Sequence, residues 1–154
     1  MRLAPSTLAV TAAFAAAAFP AAAIEPGNYG GKTKNGFEMS FKVKGKKFSK
    51  LNGMVPTSCI SPTGGTRVGG EIFRPPGKFK IGKTRKVSVK QEPAMHYSEV
   101  TKNYKVTLTK VKKGGVKAKL HVNFAFATVD FGGYYGPTLK TWVCSGDDSF
   151  VARS

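Results

Sequence analysis

The chain has 154 residues, 41% of them hydrophobic, with 25 Lys and Arg against 8 Asp and Glu and a net charge of +17. That length allows one domain with a single core, and the mix of apolar and charged residues excludes both a disordered chain and a membrane protein of many spans. Twenty of the 25 basic residues are Lys. Lysine is a hydrated point charge on a flexible stem, unlike the planar Arg fork that reads phosphate or base edges, so the charge points to broad attraction for polyanions with no specific nucleic-acid readout.

Residues 1–23 read as a secretion signal. Met1 and Arg2 give a basic start, Leu8 to Phe19 is almost continuously apolar, Pro20 breaks the run, and Ala21-Ala22-Ala23 supplies a small-residue cleavage site. The alternative is a membrane anchor, but a span needs about 20 apolar residues and this run is shorter. Cleavage after Ala23 leaves residues 24–154, a secreted or envelope-associated domain with a net charge of +16 once Arg2 is removed and no further segment apolar enough to span a membrane.

The next stretch, Gly27-x-Tyr29-x-Gly31-x-Thr33, returns near the other end as Gly132-x-Tyr134-x-Gly136-x-Thr138. Side chains alternate along a strand, so each copy places its Tyr, Thr and glycines on one face. One reading is structural: two bent strands whose tyrosines cover bare glycine backbone. The other is functional: an aromatic platform of Tyr29, Tyr134 and Tyr135 for a sugar or another ring.

Further along, Phe37, Met39, Phe41 and Val43 alternate with polar residues, Lys44 to Lys47 turns the chain, and Phe48 to Leu51 returns. Residues 52–70, rich in Gly, Pro, Ser and Thr and holding Cys59, read as a long loop. Short strands are expected at Ile72–Phe73, Phe79–Ile81 and Val87–Val89, and residues 91–103 read as irregular. Tyr104, Val106 and Leu108 then share one strand face, and Ala118, Leu120, Val122, Phe124 and Phe126 share the inward face of the next. For both apolar rows to meet one core, a three-residue loop at 112–114, with Gly114 left-handed, must pair Thr109 with Lys117, Thr107 with Lys119 and Lys105 with His121. A last strand runs from about Leu139 to Cys144 and carries Trp142. About eight short strands at this spacing predict an all-β, single-domain antiparallel sandwich or barrel.

The two cysteines, Cys59 and Cys144, both lie in the exported part. An oxidising compartment makes a disulfide the default reading, with two free thiols the alternative. A bridge would close an 85-residue separation, which loop entropy values at about 4–5 kcal/mol.

The start Gly27-x-Tyr29-x-Gly31-x-Thr33, the alternating Phe41-x-Val43, the mid-chain cysteine and the end Cys144-x-Gly146-xxx-Phe150-x-Ala152 together resemble small secreted bacterial β-domains of uncharacterised function. The resemblance spans most of residues 24–154. It departs at Phe150, where those domains would carry Trp. It implies a disulfide-bonded β-sandwich and brings no catalytic residue with it.

Little else suggests chemistry. His121 falls between lysines on a polar row and reads as solvated. His96 lies with Glu92, Tyr97 and Glu99 in an irregular stretch, the one place where an imidazole and acids concentrate, but without metal-ligand spacing. Asp147-Asp148 lacks the six to eight oxygens that calcium takes and reads as a solvated turn. No cofactor or metal is expected. The candidate anion-binding residues are Lys42, Lys44, Lys46, Lys47 and Lys50 around the first hairpin and Lys105, Lys110, Lys112, Lys113, Lys117 and Lys119 around the second. The leading expectation is a non-enzymatic module that binds an anionic polymer or surface by electrostatics: a wall polymer, an acidic polysaccharide or released DNA. The alternatives are a structural or interaction protein whose lysines serve only solubility, and, remotely, an enzyme using the His96 loop.

Overall fold

The computed structural model describes residues 24–91, 100–111, 115–131 and 136–153, which form strands, turns and bridges but no helix. The strands are β1 (Gly27–Lys32), β2 (Glu38–Lys44), β3 (Lys47–Ile60), β4 (Thr66–Phe73), β5 (Phe79–Lys80), β6 (Thr84–Gln91), β7 (Val100–Lys110), β8 (Val116–Asp130) and β9 (Thr138–Ala152). All pair antiparallel in one sheet ordered β1-β2-β3-β9-β8-β7-β6, with β4 and β5 also on β3. The expected single-domain all-β fold is therefore present as one nine-stranded sheet that does not close into a barrel.

β3 is the trunk of this sheet. Its first half pairs with β2 and β5, and its second half with β4 and β9. The inner faces of the two arms share one core, in which Phe41 and Phe48 from β2 and β3 join Val106, Leu120 and Phe150 from β7, β8 and β9. Between β4 and β7, the Phe73 ring meets Tyr104 edge-on at 5.1 Å between centroids. Completely burying an aromatic such as Phe48 or Phe73 contributes about 1.5–3 kcal/mol.

The long loop expected at 52–70 is instead strand, turn and strand. The inward phase slips between Phe48 and Leu51 because β3 carries an extra residue there: Ser40 pairs with Asn52 while Lys42 pairs with Ser49. Lys50 sits at this bulge with φ of 55°. The shift breaks the period of two, and Gly53 and Pro56 then resemble loop punctuation. β9 likewise runs eight residues past Cys144, because β8 pairs with it continuously from Val116 to Asp130 and overrides the weak strand preference of Gly146, Asp147 and Asp148. Residues 100–103, expected to be irregular, open β7.

The β7–β8 register is the one the apolar rows demanded, with Lys105 opposite His121, Thr107 opposite Lys119 and Thr109 opposite Lys117. The loop 112–114 lies outside the described residues.

Cys59 and Cys144 are bonded, with 4.0 Å between their Cα atoms, and they sit opposite each other in the β3–β9 ladder. The bridge therefore joins two neighbouring strands rather than a strand and a loop. Trp142 packs beside it, with the Arg67 guanidinium 5.2 Å and the Lys140 ammonium 4.9 Å from its ring centroid.

Candidate anion-binding site

Residues directly opposite in a ladder put their side chains on the same face. On the outer face, β6 to β9 bring Lys86, Lys105, His121 and Asp147 into one row across four strands. The neighbouring rows are Ser88, Asn103, Asn123 and Ser145 on one side, and Thr84, Thr107, Lys119 and Ser149 on the other. A cleft of about 590 Å³ opens here, lined among others by Lys86, Lys105, Lys119 and Asn103. Its polar side chains are braced on one another: Ser88 Oγ donates to Asn103 Oδ1 at 2.6 Å, and the Thr84 and Thr107 hydroxyls share a bond of 2.8 Å. His121 is not simply solvated, since its Nδ1 lies 2.9 Å from Asp147 Oδ1.

A second row lies on the other arm. Lys44 is opposite Lys47, which is opposite Lys80, across β2, β3 and β5. All three are exposed, as are Lys42, Lys46 and Lys50 around them. The first-hairpin lysines thus do gather, but they occupy a different stretch of the outer surface from Lys105, Lys117 and Lys119, with β9 lying between the two arms in the sheet order. Lys110, opposite Val116, is at the exposed end of β7. Lys112 and Lys113 lie outside the described residues.

Two members of these rows, Lys80 and Lys86, escape a reading of the sequence alone. Each follows strand alternation, next to Phe79 and Val87, but only the pairing of β5 with β3 and of β6 with β7 places it beside other lysines. For Lys80 the one signal available was its polar phase within the expected strand Phe79–Ile81, and Lys86 lay just before the expected strand Val87–Val89.

One exposed carboxylate, Asp147, lines the cleft, where it is engaged by His121. Glu71 is engaged by Lys102, with side chains only 14% and 16% exposed. Asp147 and Asp148 lie within β9 rather than in a turn, so alternation sends Asp147 outward and Asp148 inward. Asp148 is buried, with Oδ1 accepting from the Ser149 amide at 2.7 Å. The two cannot close on one cation. Among the described residues, no group of three or more His, Cys, Asp or Glu is placed to hold a metal ion.

Tyr104, 6% exposed, lies beneath the cleft, and burial followed by the Glu71 charge pushes its phenol up to about 12, so it stays protonated at neutral pH.

The first copy of the repeated pattern is a core element. Tyr29 is 2% exposed, stacks on Phe41 with 5.4 Å between centroids, and donates to the Glu25 carbonyl at 2.9 Å. Its ring is not available as a surface platform. Gly31 is required because a Cβ there would lie 2.5 Å from the Val151 carbonyl oxygen, where β1 closes on β9. In the second copy Gly132, Tyr134 and Tyr135 lie outside the described residues, as do Glu92, His96, Tyr97 and Glu99.

Set against known proteins, the chain matches no family model, no curated protein and no solved structure.

Proposed function

We propose that the protein is an exported, non-enzymatic β-domain that binds anionic polymers through its two lysine surfaces. The observation that carries this reading is the cross-strand pairing of like charges. Lys44, Lys47 and Lys80 stand in one register, and Lys86 faces Lys105. Directly opposed like charges weaken a sheet. A solubility role is served as well by lysines in staggered positions or next to acids, whereas a polyanion relieves repulsion that the fold alone leaves standing. The partner class is a wall polymer, an acidic polysaccharide or released DNA. The lysine chemistry and the absence of an Arg fork from the rows favour charge density over a fixed ligand shape.

Binding to immobilised heparin and to isolated wall polymer across a salt series tests this. Each engaged lysine adds about 0.7–0.9 to the slope of log affinity against log salt. Changing Lys44, Lys47 and Lys80 to Gln should lower the slope by about 2, and so should changing Lys86, Lys105 and Lys119 to Gln, if both surfaces engage. Weak retention of the unaltered protein at low salt would instead favour lysines that serve solubility alone.

A further inference from the structure

We infer that two copies of this protein associate through a charge-free outer face formed by β3, β4, β8 and β9. The outward positions of β3 from 54 to 60, β4 from 66 to 72, β8 from 125 to 129 and β9 from 139 to 145 hold no Lys, Arg, Asp or Glu, in a chain with 25 basic and 8 acidic residues. The strands are in register across this face. Thr66 is opposite Ile60, Ile60 opposite Val143, and Val143 opposite Ala125. Large apolar side chains stand open on it: Val68 is 86% exposed, Leu139 71%, Ile60 61%, and Ile72 and Val143 55%. Apolar surface gathered in this way marks an interaction site.

The chemistry of the face selects the occupant. A bilayer-inserting face is rich in Trp, Phe and Leu, with Lys and Arg on the opposite polar side, whereas these outward positions hold no aromatic residue and Leu139 as their single Leu. A partner bearing charges would leave them desolvated against Ile60 and Val143. A second copy presents the same apolar, uncharged surface and satisfies both conditions with one self-complementary contact. The size fits a weak dimer. Two pairs of strands about 4.8 Å apart and about 24 Å long give about 450 Å² of projected face per copy. Two copies then bury about 900 Å² or somewhat more, the size of weak, transient contacts and below the standard size of stable interfaces. Association falls in the micromolar range or weaker, and it has a diagnostic salt response. With +16 on each exported copy, from +17 for the full chain less Arg2, salt screens the repulsion between partners and strengthens the dimer, while it weakens polyanion binding.

Sedimentation equilibrium over a wide micromolar range, at low and high salt, tests this. The expected result is a mass rising toward twice the monomer, more readily at high salt. Ile60→Glu and Val143→Lys should each weaken association at least tenfold. Val143→Thr, which keeps the branched shape, should weaken it less. Circular dichroism and an intact disulfide confirm folding of each variant. A monomer at every concentration and salt overturns the inference. So does a dimer that tolerates both charged substitutions, which would place the contact elsewhere, such as the edge of β4. Binding of the monomer to anionic phospholipid vesicles through Ile60 and Val143, without dimerisation, overturns it as well.

Discussion

Gly146 stands two residues beyond Cys144 in β9, packed against the backbone of β3 at Pro56. A Cβ built there would lie 2.2 Å from the Pro56 carbonyl oxygen and 2.9 Å from Thr57 Cγ2. Ordinary contact requires about 3.4 Å or more, so Gly146→Ala forces the two backbones more than about 1 Å apart. They are not free to separate, because the Cys59–Cys144 bridge holds them at a Cα distance of 4.0 Å two residues away. The Ser58–Ser145 pairing lies between the bridge and the clash and must absorb the strain. Overpacking of this kind costs about 1–3 kcal/mol, and a weakened ladder bond adds about 1 kcal/mol, so the expected loss is about 3 kcal/mol. For a domain of this size that lowers Tm by about 10 °C. Urea unfolding at unchanged m-value measures it. Gly69→Ala in β4 is the control. No heavy atom lies within 4 Å of its Cβ, so it should be neutral or stabilise by up to about 1 kcal/mol. In a Cys59→Ser, Cys144→Ser background the Gly146→Ala penalty should shrink, since the strands can then part. A loss below about 1 kcal/mol with the bridge intact, or an equal loss for Gly69→Ala, would refute the reasoning.

Other outcomes follow from the same geometry. Reducing the disulfide should destabilise the domain by about 4–5 kcal/mol, from the 85-residue separation it closes, read as a fall in urea midpoint. Glu71→Gln leaves the Lys102 ammonium, only 16% exposed, without its carboxylate, and should cost about 2 kcal/mol in urea unfolding. The same change removes one of the two causes of the raised Tyr104 value, so phenolate absorbance should show Tyr104 titrating at lower pH, still above 10.0 because burial remains. The folded Tyr104 binds its proton more tightly than the unfolded one, near 12 against 10.0. Its contribution is therefore complete below pH 10 and is lost as pH rises toward 12, about 1–3 kcal/mol that Tyr104→Phe should make independent of pH. Lys47→Glu puts an acid between Lys44 and Lys80. It should raise stability by a few tenths of a kcal/mol while lowering the salt needed to elute the protein from heparin; no change in elution would count against that surface as a binding site.

How far the sequence revealed this arrangement depended on whether each strand kept its phase. The β7–β8 hairpin was legible to the residue because Tyr104 to Leu108 and Ala118 to Phe126 alternate without interruption, and parity allowed one register. β3 was not, because one inserted residue at Lys50 moved Leu51 inward out of step and made the rest look like loop. The far half of β9 was hidden because Ser145 to Ser149 carry weak strand formers that only the full length of β8 holds in place. The candidate site fared likewise. Lys105, Lys117 and Lys119 could be put on one outward stripe from the hairpin alone, whereas Lys80 and Lys86 join lysine rows only through pairings between strands separated in sequence.

The first copy of the glycine-tyrosine pattern and the Cys-x-Gly ending have a common physical reason. Tyr29 fills the core while Gly31 lets the backbone of β1 close on Val151, and Gly146 lets β9 close on Pro56 beside the disulfide. These residues seat β9 between β1 and β3, and β9 is also the strand that separates the two lysine arms in the sheet order. Its outward face changes character along its length, from Leu139 and Val143 at the uncharged end to Asp147 and Ser149 beside the cleft. On the two proposed readings, one strand carries part of the self-associating face and flanks the lysine cleft, so raising ionic strength is expected to favour the first and weaken the second without any change of fold.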